Sequence, residues 1–125
     1  MNRAFQLCID GAPLLAIGKN RYFKTEEELQ LDSGAFIHGL EWAAGIEALV
    51  FGKPGKLFFE SAIASTGLLP EECLMIGDDI DGDIIAARES GLQATLVRTG
   101  KYRSGDETRL PEGAEVIDTV DDLFR

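Results

Sequence analysis

Met75-Ile-Gly-Asp-Asp-Ile-Asp-Gly-Asp83 places four carboxylates, on Asp78, Asp79, Asp81 and Asp83, within six residues. Like charges this close repel and cost stability unless a cation or hydrogen-bond donors offset them. Oxygen ligands at a strand end suit Mg²⁺, which keeps several waters and takes only one or two carboxylates. The same acids suit a second role, as cap and first-turn residues of a helix starting near Asp83, where the helix dipole favours negative charge. A calcium-binding EF-hand loop does not fit. Counted from Asp79, its required glycine falls on Ile84 and its closing glutamate on Ser90.

Upstream lies Phe51-Gly-Lys-Pro-Gly55, where a lysine between Gly and Pro is held in a turn. It is not a P-loop, because Leu57 stands where the second glycine is needed. By itself Lys53 reads as a surface lysine. Beside a strand-end aspartate cluster it reads as half of an electrostatic clamp on phosphate, with Mg²⁺ as the other half.

The elements that must position these groups follow from periodicity and turn chemistry. Residues 2–7 read as the last turns of a helix. Residues 13–17 and 21–24 flank Gly18-Lys-Asn20, a hairpin signal. Residues 24–32 are polar, with three consecutive glutamates, and read as an exposed connection. From Ser33, the expected cap, Phe36, Ile37, Leu40, Ala43 and Ala44 recur at helical spacing. Short strands are expected at 48–51, 73–76, 94–97 and 115–117. Helices are expected at 57–66, 83–90 and 120–124, with Gly67 and Gly91 as stops, and a polar loop at 100–113. Helices alternating with short apolar strands imply an α/β fold with a parallel sheet covered on both faces. Ligands in such sheets bind beyond the carboxyl ends of the strands, where the acidic loop emerges.

Gly52-Lys-Pro54, a helix, then Gly77-Asp-Asp-Ile-Asp-Gly-Asp83 with Ala86-Ala87 and Gly91 resembles the third and fourth motifs of haloacid-dehalogenase-type (HAD) phosphatases. Leu96-Val-Arg-Thr-Gly-Lys-Tyr102 is similar to the following segment of subclass IIA, which has a large inserted cap and includes the phospholysine, phosphohistidine and inorganic pyrophosphate phosphatase. The resemblance covers residues 33–125 well. It implies that residues 32–125 are the C-terminal half of a Rossmann-like HAD core, and residues 1–31 the helix end and hairpin of the cap.

It further implies roles. Asp78 ligates Mg²⁺, Asp79 is a weaker candidate ligand, Asp83 orients the metal's waters or Lys53, and Lys53 neutralises the phosphoryl group and the nucleophile. Family members attack a small phosphorylated substrate with an aspartate from a DxD motif, through an aspartyl-phosphate. No DxD follows an N-terminal strand here, and the second motif is missing too. Leu7-Cys-Ile-Asp-Gly-Ala-Pro-Leu14 imitates the first motif with Cys8 in the nucleophile's place. Only about 40 residues would then remain between that motif and Lys53, too few for two βα units. The expectation is a phosphatase inactive as an isolated chain, partnered by a missing N-terminal half or by a second copy through the apolar edge at 73–76. Two other classes stay open: a non-catalytic module that binds phosphate or metal, and a receiver-like phosphoacceptor domain, whose motif order differs from this one.

The net charge of −10 over 125 residues argues against nucleic acid and anionic membranes as partners. No apolar run approaches the roughly 20 residues that span a bilayer, and residues 1–15 lack signal-peptide features, so a cytoplasmic location is expected. Cys8 and Cys73, outside any CxxC pair, read as buried reduced thiols. His38 has no partner at metal spacing. Trp42 and Phe36, Phe51, Phe58 and Phe59 are core candidates. Lys101 and Arg103 read as exposed-loop residues that could face a site entrance.

Overall fold

A computed structural model describes all residues, Met1–Arg125. The chain forms two compact units, Met1–Leu57 and Phe58–Arg125. No helix is long and apolar enough to cross a membrane.

In the first unit, α1 (Asn2–Ile9) runs two residues beyond the expected helix, packs on α2 (Ser33–Ala44) and buries Cys8. The expected hairpin around residues 18–20 does not form. Instead β1 (Leu15–Ala16) pairs in parallel with β4 (Leu49–Val50). The peptides of residues 18–20 are used elsewhere: Ser33 Oγ donates to Gly18 O at 3.1 Å, Gly34 N to Asn20 O at 2.9 Å, and Lys19 N to Lys53 O at 2.9 Å. The antiparallel hairpin lies downstream, between β2 (Tyr22–Lys24) and β3 (Leu29–Leu31), inside the stretch expected to be a plain connection. Thr25 closes its turn, its Oγ1 accepting from Glu28 N at 3.0 Å. The cap of α2 is Asp32 rather than Ser33, because the Asp32 carboxylate accepts from Ser33 N at 2.6 Å.

In the second unit, β5 (Leu74–Gly77), β6 (Gln93–Val97) and β7 (Glu115–Ile117) form a parallel sheet in that order. Ala94 to Val97 are all buried, as a strand covered on both faces requires. Phe59, Ile80, Ile84 and Leu96 are the largest fully buried side chains of the core, closed by Ala86, Ala87, Leu92 and Ala94. α3 (Lys56–Thr66) supplies Phe59 and stops at left-handed Gly67. α4 (Ala86–Glu89) is short because the helix expected from Asp83 opens earlier, as a wide π-type segment at Ile80–Ile85. The division between the units falls after the second residue of α3.

Of the aromatic residues expected in a core, Phe59 is 1% exposed, but Phe36, Trp42, Phe51 and Phe58 are 52%, 84%, 50% and 36% exposed. Helical spacing marks a face as apolar without saying that anything covers it.

Candidate functional site

Asp78 is the first residue beyond β5. One of its oxygens, Oδ2, accepts from Lys101 N at 2.8 Å. This approach needs Gly100, where an added Cβ would run into Asp78 Oδ2 and where φ is +57°. Asp79 is buried and caps the following helical segment, its Oδ1 accepting from Asp81 N at 3.1 Å. Its Oδ2 lies 2.5 Å from Lys101 Nζ. Asp81 pairs with Arg109 at the surface.

Asp83 is 3% exposed, and its Oδ2 accepts from Asp79 N at 3.2 Å. The wide turn makes this placement: Asp79 O accepts from both Asp83 N at 2.9 Å and Ile84 N at 3.2 Å, so the segment is under-wound and wider than an α-helix for one turn. Gly77 is required beneath it, since any Cβ there would overlap the Asp83 side chain. Asp79 performs the capping role that the sequence allows, and Lys101 and Arg109 place positive charge beside Asp79 and Asp81. The chain gathers no group of three or more Asp, Glu, His or Cys side chains able to hold a metal ion by themselves.

The segment that carries Lys101 and Arg109 is itself anchored. Tyr102 packs on the core, and its hydroxyl donates to Glu107 Oε2 at 2.6 Å. That bond, with main-chain N–H groups including that of Gly105, holds the Glu107 carboxyl below its ordinary range. Arg98 pairs with Asp118 at 2.7 Å, and Arg103 N donates to Asp106 Oδ2 at 2.8 Å. A 3₁₀ turn at Asp106–Arg109 stands within the stretch expected to be plain loop.

Lys53 belongs to the first unit, and the four aspartates to the second. Its turn is closed by Gly55 N donating to Gly52 O at 2.8 Å, and the Lys53–Pro54 bond is cis. Nearby in the chain fold, Glu41 takes Lys19 Nζ at 2.5 Å and Ala48 N at 2.9 Å, with His38 Nδ1 at 3.5 Å. His38 therefore lies beside the Glu41 carboxylate and sits at no cluster of metal-binding residues.

Sequence reasoning undervalued Lys101, whose side chain is only 11% exposed, and did not single out Arg109. A signal existed. Adjacent parallel strands end side by side, here with Gly77 opposite Leu96, so the residues after β6 must emerge next to the acidic loop.

The sequence pattern of the HAD-hydrolase-like family matches residues 50–123. The chain is 48% identical over 110 residues to the haloacid dehalogenase-like hydrolase domain-containing protein 2 of Bos taurus, covering 88% of this chain and 42% of that protein. It is 52% identical over 109 residues to the phospholysine phosphohistidine inorganic pyrophosphate phosphatase of Xenopus laevis, covering 86% of this chain and 40% of that one. Among solved structures, a p-nitrophenyl phosphatase from Archaeoglobus fulgidus superposes with a TM-score of 0.80 at 26% identity, over 98% of this chain and 49% of its own. The chain therefore spans less than half the length of these relatives.

Proposed function

The chain belongs to the HAD-like hydrolase family, and from that premise we propose that it supplies the phosphate- and metal-facing half of a Mg²⁺-dependent phosphatase for a small phosphorylated substrate. The observation that carries this reading is Asp78, a carboxylate at the end of a parallel strand, aimed by a main-chain N–H and with only Oδ2 hydrogen-bonded. Such a residue fits Mg²⁺, whose shell is completed mostly by water and phosphate oxygens. A bound Mg²⁺ would neutralise phosphate oxygens and favour attack on phosphorus. Asp83, nearly inaccessible and tied to Asp79 N, is suited to orient water in that shell. Lys53 supplies the compact positive charge for the phosphoryl group and the nucleophile.

In this reading the nucleophilic aspartate and the general acid come from the part of the relatives' fold that lies outside residues 1–125. Residues 1–31 are the tail of an inserted cap, and residues 32–125 belong to the core. The open side of β5, which is bonded only to β6, is where that remaining part docks. A receiver domain belongs to another family, so that reading is dropped. A non-catalytic phosphate- or metal-binding module would use the same residues without turnover.

Calorimetric titration with Mg²⁺ tests the metal assignment. Asp78→Asn should lose binding, and Asp81→Asn should lose less. Equal affinity in wild type and Asp78→Asn would contradict the assignment.

A further inference from the structure

Lys101 reaches the acidic loop twice, and its two contacts treat two neighbouring acids differently. Its main-chain N–H donates to Asp78 Oδ2 at 2.8 Å. Its ammonium lies 2.5 Å from Asp79 Oδ2, with the two side chains only 11% and 10% exposed. The other oxygen of Asp79 already accepts from Asp81 N. Asp79 thus has both oxygens committed, whereas Asp78 is hydrogen-bonded through Oδ2 alone. The arrangement depends on Gly100, whose missing Cβ lets Asp78 approach, and on the Tyr102–Glu107 bond that anchors the segment.

We infer that Lys101 is the positioning residue that selects which acid of the loop is offered to a cation, presenting Asp78 and withdrawing Asp79. This rests on the proposed cation role of Asp78 and deepens it. An ammonium in a poorly solvated ion pair competes with a divalent cation for the same oxygens. A loop that offered all its acids would approach the oxygen-rich shell of Ca²⁺. One that offers a single acid leaves coordination places for water and phosphate, as Mg²⁺ sites require.

The test is Mg²⁺ titration of the whole chain, read by calorimetry and by the ¹³C shifts of the aspartate carboxylates. In wild type, the Asp78 carboxylate should shift and the Asp79 carboxylate should not. Asp79→Asn should bind close to wild type, where Asp78→Asn, which removes the proposed ligand, should lose binding. Lys101→Met should bind Mg²⁺ at least about threefold more tightly, because Asp79 is released to join the shell. The double variant Lys101→Met/Asp79→Asn should lose that gain. A lysine that only supports the fold would give no gain. Unchanged or weaker binding in Lys101→Met, a gain that survives in the double variant, or a wild-type Asp79 shift as large as that of Asp78 would overturn the inference. Should Lys101→Met lose its cooperative melt, the carboxylate shifts and Asp79→Asn decide. Wild type that binds no better than Asp78→Asn would instead overturn the cation role of Asp78, and the Lys101→Met pair would still decide the role of Lys101.

Discussion

Glu41 carries a titration whose sign can be worked out from its neighbours. Burial works against its ionisation, but hydrogen bonds from Lys19 and Ala48 N, with the charges of Lys19 and His38, outweigh that and hold its carboxyl below the ordinary value of 4.5. A carboxyl depressed in the folded state contributes stability above its unfolded pKa, and that contribution is lost as pH falls through the folded value. Glu41→Gln should therefore cost about 1–2 kcal/mol at neutral pH, discounted for the partly exposed Lys19. Urea unfolding should show this gap closing as the pH drops below 4.5. A gap that stays constant down to strong acid would mean that the ion pair contributes nothing. The same scale shows what sequence conveys about a site. Asp78, Asp79, Asp81 and Asp83 were legible because their types and spacing are local. The partners of three of them lie far along the chain: Lys101 is 23 residues beyond Asp78, which its main chain meets, and Arg109 is 28 beyond Asp81. Only the strand register brings them back, and no local spacing encodes it.

At the scale of elements, legibility followed composition. β5 and β6 announce themselves as short, mostly apolar runs, and in β6 Ala94 to Val97 are all buried, as a strand covered on both faces requires. β1, β2 and β3 have only two or three residues each and are mostly exposed, so no alternation marks them. The Gly18-Lys-Asn20 signal misled because turn chemistry also suits a segment whose carbonyls receive the N-terminus of α2. The start of the helix at Ile80 rather than Asp83 was hidden because a π-type segment breaks the 3.6-residue period. The core these elements make should be unforgiving. Leu96, fully inaccessible at the middle of the sheet, should cost about 2–5 kcal/mol when changed to Ala. Urea unfolding of Leu96→Ala checks this, and a loss below about 1 kcal/mol would mean that the site collapses around the gap.

At the scale of the whole molecule, the three-stranded sheet has β5 at one side with a row of main-chain groups that no strand of this chain pairs. Leu74 on that strand is 45% exposed. The relatives are more than twice as long as the stretch they share with this chain, and the proposed occupant of that edge is the part of a relative's fold that the shared stretch does not cover. Self-association through the same edge is the competing outcome, visible as a homodimer by light scattering. The proposed division of labour places Lys53, Asp78 and Asp83 here, and the nucleophile on the docked part. Removing one member of a catalytic unit costs orders of magnitude in rate even when the rest is intact. The most direct measurement is hydrolysis of p-nitrophenyl phosphate by this chain alone and after co-expression with the remaining part of a family member. The chain alone should give no turnover, and the co-purified pair should turn over substrate and lose that activity in Lys53→Met. Turnover by the isolated chain that survives extensive purification and disappears in Lys53→Met would contradict this division of labour, and would return attention to Cys8 as a nucleophile.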